Sequence, residues 1–181
     1  MAQATVALVR ALRKTALRLR EGSAYRWSHF AKCNCGNLAQ TITDYSAREI
    51  YDAAFQRGGD WGEQAREYCA TSGLPMDVIL GEMYALGFEA EDIGYLERLN
   101  HPDVVRRLPA ERRPLRHTSR EDTVLFMETW ASLLAEALPS DERAHLEALD
   151  AAGAPVARRE RSGVRTAPSP LADDREDEAA A

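Results

Sequence analysis

Helix-start and helix-stop signals recur along this chain at short intervals, and they constrain its fold more than any other feature. Gly22, the pair Gly58-Gly59, Gly73 and Gly87 each follow an apolar stripe of helical period, where a residue tolerant of positive φ ends a helix. Gly36-Asn37 marks a further break. Pro75 and Pro102 stand where helices begin, and Pro109 and Pro114 bracket a loop. Ser46 with Glu49, Asp60 with Glu63, and Ser119 with Asp122 have the spacing at which a capping side chain meets the amide three residues on. No stretch alternates with period two between hairpin turns, and no repeat of fixed period is present. The pattern predicts an all-α protein, a single compact bundle of six to eight mostly short helices over residues 1–150.

Beyond that point the composition changes. Large apolar residues nearly vanish after Ala151, and charge separates into a basic stretch at 158–165 and an acidic one at 173–178. Such a segment buries too little apolar surface to offset its ordering entropy, so 151–181 is expected to be a disordered charged tail.

Charge excludes some functions. The formal net charge is -6, which opposes bulk attraction to nucleic acid, so that partner is not expected. The sign is uneven, however: residues 1–32 carry seven basic side chains against Glu21 alone. Within them, 4–20 reads as a helix with Thr5, Leu8, Leu12, Ala16 and Leu19 on one face and arginines on the other. That helix either packs its leucine stripe on the core and leaves the basic face in water, or holds an acidic or protein partner. A second basic stretch, 106–120, carries Glu121 and Asp122 directly after it and reads as a solvated loop with local ion pairs.

No apolar run is long enough to cross a bilayer, and no secretory signal precedes the arginines that begin at Arg10. Three cysteines do not make an extracellular disulfide framework, so a reducing, cytoplasmic setting is expected. The Arg-rich, acid-free start also has the composition of an organellar presequence, an alternative the residues leave open.

The local pattern with most chemical content is His29-x3-Cys33-x-Cys35-Gly36-Asn37. On a helix, residues four apart share a face, so His29 and Cys33 could converge on one ion. Cys35 joins them if the backbone turns near Gly36, and Cys69, in the last turn of another predicted helix, could close the set. Three thiolates and an imidazole suit tetrahedral Zn²⁺ first, and an iron–sulfur cluster or Cu(I) after it. The expectation is therefore a small metal- or cluster-binding protein with His29, Cys33, Cys35 and Cys69 as ligands, in a structural or redox role. Two alternatives stand beside it. One is a non-enzymatic helical interaction module that binds through its basic N-terminal helix. The other is a thiol redox enzyme using Cys35, whose place near a helix N-terminus would favour thiolate. His101 and His117 lack metal-ligand spacing to another histidine.

Overall fold

A computed structural model describes residues 1–156. Among these residues the fold is all-helical, as the punctuation predicts, with nine α-helices and one 3₁₀ turn. They are α1 (Val6–Arg20), α2 (Asn34–Ile42), α3 (Ala47–Arg57), α4 (Trp61–Arg66), α5 (Pro75–Leu86), α6 (Ala90–Arg98), α7 (Pro102–Arg107), α8 (Arg120–Ala137) and α9 (Ser140–Ala151). The count passes eight because α4 and α7 are barely more than one turn each, yet both are complete helices. Asp60 caps α4 reciprocally with Glu63, and Pro102 opens α7 where an amide would have no partner.

The other predicted caps form as well. Ser46 and Glu49 make a capping box on α3, and the Ser119 hydroxyl accepts from the Asp122 amide at the start of α8. Gly87 ends α5 at φ 116°, and a Cβ there would lie 2.7 Å from the Gln3 carbonyl. The same glycine accepts a hydrogen bond from the Gln3 amide, so the first residues are stitched to the end of α5. Positive φ and close approach both demand glycine at this position.

The core is built around α1 and α8, which make the most extensive helix–helix contact. From α1 come Leu8, Leu12, Ala16 and Leu19, and from α8 come Phe126, Met127, Trp130 and Leu134, all fully buried. The buried surface of α1 is wider than one stripe, because Val9, Ala11 and Thr15 are covered too. This helix is sandwiched between α8, α2 and α9. Its arginines consequently face neighbours: Arg10 and Arg13 pair with Asp150 of α9, and Arg20 pairs with Glu128 of α8. Arg18 donates to the Thr41 hydroxyl of α2 at 2.8 Å. The basic face meets solvent at Arg13, Lys14 and Arg20, as expected, and its arginines also tie α1 to its neighbours.

The chain also runs past the expected boundary at residue 150. After α9, the carbonyls of Ala154 and Pro155 accept from the Arg10 guanidinium, and Val156 packs against the core. The remainder of the expected tail, 157–181, lies outside the described residues. No helix among the described residues is long and apolar enough to cross a membrane.

Candidate functional site

Segment 23–33 is a series of turns, so the helix that would have stacked His29 over Cys33 does not form. The backbone turns at His29, whose carbonyl accepts from both Lys32 and Cys33 amides. Helix α2 begins only at Asn34, with Cys33 as its N-cap. The Cys33 Sγ accepts from the Gly36 amide at 3.5 Å and donates to the Phe30 carbonyl at 3.2 Å. This is the role serine commonly fills at a helix start.

Every residue of the Cys33-to-Asn37 knuckle has a similar inward task. Asn34 is fully buried and donates to the carbonyls of Leu96 and Glu97 at 2.9 and 2.8 Å, satisfying acceptors in the last turn of α6. Its Oδ1 lies 2.6 Å from the Tyr25 hydroxyl and 3.1 Å from that of Thr123, so one amide joins α2, α6, α8 and the preceding loop. Cys35 is fully buried and its Sγ faces the Ile93 carbonyl at 3.7 Å. Gly36 packs directly on the backbone of the turn before it, where a Cβ would fall 2.0 Å from the Phe30 carbonyl oxygen. Asn37 reaches back to the carbonyls of Lys32 and Ala24 at 2.9 and 3.3 Å.

The thiols take their chemistry from this burial. Desolvation pushes Cys33 up to about 12, and it raises Cys35 well above the usual thiol value, with the neighbouring Cys33 and Glu97 adding to it. Neither is poised as a thiolate at neutral pH. Cys69 behaves in the opposite way. Helix α4 stops at Arg66, because the chain turns where Arg57 takes the Glu67 carbonyl and Tyr68 packs edge-on against Tyr84. Cys69 therefore stands in an exposed loop, its Sγ 3.6 Å from the Thr71 hydroxyl, a contact that lowers its pKa.

His29 is turned outward. Its Nδ1 accepts from the Ala31 amide at 3.2 Å, and its ring lies against Tyr51 at a centroid distance of 4.6 Å. The four expected ligands thus split three ways: Cys33 and Cys35 inside, Cys69 in a distant-in-sequence exposed loop, His29 on the surface of α3. Among the described residues, no group of three or more His, Cys, Asp and Glu side chains is placed to hold a metal ion.

His29 does belong to a surface feature that the spacing argument missed. Tyr51 and Phe55 stand one helical turn apart on α3, Tyr51 half-buried at the edge of the core and Phe55 exposed, while Ile50, Ala53 and Ala54 face the core. Their rings stack at 5.8 Å with an interplanar angle of 18°. His29, Tyr51 and Phe55 form a continuous aromatic row, and Phe55 at its end is 71% exposed. Beside the row lies an open groove of about 440 Å³ lined by His29, Lys32, Ala47, Arg48, Tyr51 and Asp52. Burial lowers the His29 pKa, and the nearby Lys32 and Arg26 lower it further. Arg48 and Asp52 pair across one turn at 3.8 Å. An i, i+4 aromatic pair on the face opposite an apolar stripe was the available signal in the sequence.

The second basic stretch, by contrast, is partly paired where it stands. Arg112 and Arg116 both pair with Asp122, and Arg107 pairs with Glu136. Arg113 is turned onto the Leu108 and Arg106 carbonyls.

No protein-family model, curated protein or solved structure matches the chain.

Proposed function

We propose that this chain is a non-enzymatic interaction module whose docking surface is the aromatic row on α3 with its cationic groove. The observation that carries the reading is Phe55, a large aromatic side chain held 71% exposed at the end of a stacked row. Nothing in the packing of α3 needs it, since the core face of that helix is already supplied by Ile50, Ala53 and Ala54. Aromatic and arginine side chains at the centre of a concave patch are the composition of binding hot spots. The adjoining cations Lys32 and Arg26, with Arg48 held by Asp52, favour a peptide that brings carboxylates next to one apolar side chain.

This moves the expected docking element from the N-terminal helix to α3. On the basic face of α1, Arg10 and Arg13 are engaged by Asp150, Arg20 by Glu128 and Arg18 by Thr41. The redox alternative loses its support for a physical reason: Cys35, its nucleophile, is fully buried and held as the thiol.

The reading is tested by titrating labelled protein with a set of acidic peptides that each carry a single Leu or Phe. Binding that shifts His29, Tyr51 and Phe55 signals and weakens about tenfold in Phe55→Ala, about the loss of one hot-spot side chain, supports it. Absence of binding by every peptide, or equal affinity in Phe55→Ala, overturns it.

A further inference from the structure

We propose that segment 171–178 of this same chain docks into the α3 groove and so competes with any partner for it. The inference rests on the docking reading above and adds its regulation.

Charge complementarity is the first argument. The segment reads Leu171-Ala172-Asp173-Asp174-Arg175-Glu176-Asp177-Glu178, one aliphatic residue followed by five carboxylates and one guanidinium. It has the chemistry the groove selects: an apolar anchor for the space between Ala47 and Tyr51, then negative charge for the cations around it. Many other arginines already have a carboxylate partner, those at 20, 57, 98 and 107 one each, while 10 and 13 share Asp150 and 112 and 116 share Asp122. In the groove itself Arg48 pairs with Asp52, which leaves Lys32 as its free cation among the described lining residues. Among the described residues no carboxylate is paired with Arg26 or Lys32, and these two flank His29.

Reach is the second. The chain leaves the body at Val156, against α1. Between there and Leu171 the backbone can extend up to about 50 Å at 3.3–3.6 Å per residue. A compact body of this length has a radius of gyration of about 15 Å, hence a width of about 40 Å, so the linker is longer than the body is wide.

Tethering supplies the third. A segment attached through a short linker experiences an effective concentration on the order of 1 mM, so even an intrinsic Kd of about 100 µM leaves the groove roughly nine-tenths occupied. A partner would then have to be a tighter or more acidic version of the same motif. The basic stretch at 158–165 cannot play this part, since it would bring like charge to Arg26 and Lys32.

The test uses the full chain. Ser169→Cys carrying a nitroxide, with Cys69→Ser to remove the exposed thiol, reports which ring signals the tail approaches. Docking predicts that His29, Tyr51 and Phe55 lose about half or more of their intensity, as a largely occupied tethered site requires. The loss should disappear when the five carboxylates are changed to their amides, and shrink at about 1 M salt, where the Debye length is near 3 Å. Broadening centred on another face, such as the exposed Leu17 side of α1, or even broadening over the whole surface, overturns the proposal. If the groove is untouched by the label while acidic peptides still bind there in a Phe55-dependent way, the tail inference falls alone. If neither the tail nor any acidic peptide reaches the groove, the docking reading falls with it.

Discussion

The knuckle at 33–37 and the outer face of α3 lie on neighbouring helices and are opposites in almost every respect. The knuckle holds the residue types that chemistry prefers, two thiols and two carboxamides, and it points all of them inward. The α3 face holds residue types that sequence inspection passes over, a Tyr and a Phe at i, i+4, and leaves one of them in water. What separates them is whether donors and acceptors remain unspent. Cys33 has its amide and its carbonyl partner, Asn34 has the ends of α6, and Cys35 has Ile93. A ligand arriving at the knuckle would have to displace hydrogen bonds that hold α2 to α6 and α8.

The sharpest way to break this contrast is to insert one methyl group. Gly36→Ala would set a Cβ 2.0 Å from the Phe30 carbonyl, against backbone and not against a movable side chain. A loss of about 4 kcal/mol or more is expected, enough to unfold a marginal domain, and urea denaturation measures it. Asn34→Ala should follow closely, at about 3 kcal/mol, since it strands the Leu96 carbonyl, leaves the Glu97 carbonyl only the Trp27 indole at 3.4 Å, and removes a partner of Tyr25 and Thr123. If either substitution is tolerated with less than about 1 kcal/mol lost, the knuckle is not the structural element described here.

Thiol reactivity compares the regions without mutation. In the folded protein Cys69 should react with a disulfide reagent at the rate of an accessible thiol, because it is exposed and its pKa is lowered by Thr71. Cys33, raised to about 12 and buried, should lag by about three orders of magnitude or more, with Cys35 beside it. All three should react alike in denaturant. Rapid modification of more than one thiol in the native state would reopen the redox reading.

A smaller and pH-graded effect comes from Glu97, whose backbone carbonyl meets Asn34 and whose side chain accepts from the Trp61 and Gly62 amides at the start of α4. Burial raises its pKa above 4.5, with Asp60 adding to the shift. The folded chain therefore holds this proton more tightly than the unfolded one. The stability it contributes is complete below 4.5 and is lost as pH rises through the raised value. Glu97→Gln removes that dependence, so the stability difference between variant and parent should grow in the variant's favour from pH 4.5 upward and then level off. A difference that stays constant with pH would show that Glu97 does not titrate in this way.

How much of this was legible beforehand follows a physical division. The helix boundaries at Ser46, Asp60, Gly87 and Ser119 were readable because a cap is a local event, decided by residues within one turn. The fate of the cysteines was not, because it depends on Phe30, Ile93 and Leu96, which reach the knuckle only through tertiary packing. The leucine stripe of α1 was legible for the first reason, whereas the ion pairs of its arginines were not, because Asp150 and Glu128 lie more than a hundred residues away in sequence. Spacing alone distinguishes helix faces. It does not say which face meets a neighbour.

The smallest expected effect is the most telling for the α3 face. Phe55→Ala removes a ring that is 71% exposed, stacked on Tyr51 and outside the buried core. Surface substitutions of this kind change stability by no more than about 0.5 kcal/mol, so its denaturation curve should overlay that of the parent. A residue with no measurable role in folding and a tenfold role in peptide binding is a docking residue. Were Phe55→Ala instead to cost about 2 kcal/mol or more, the ring would be completing the hydrophobic cover of α3, as a buried aromatic does. The contrast between the two regions would then be one of depth, not of purpose. The neighbouring His29 adds a pH effect to binding. An acidic ligand favours protonated His29, whose pKa is lowered in the unliganded protein by burial, Lys32 and Arg26. Binding should therefore tighten as pH falls through and below 6.5, and a His29→Gln variant should lose that dependence.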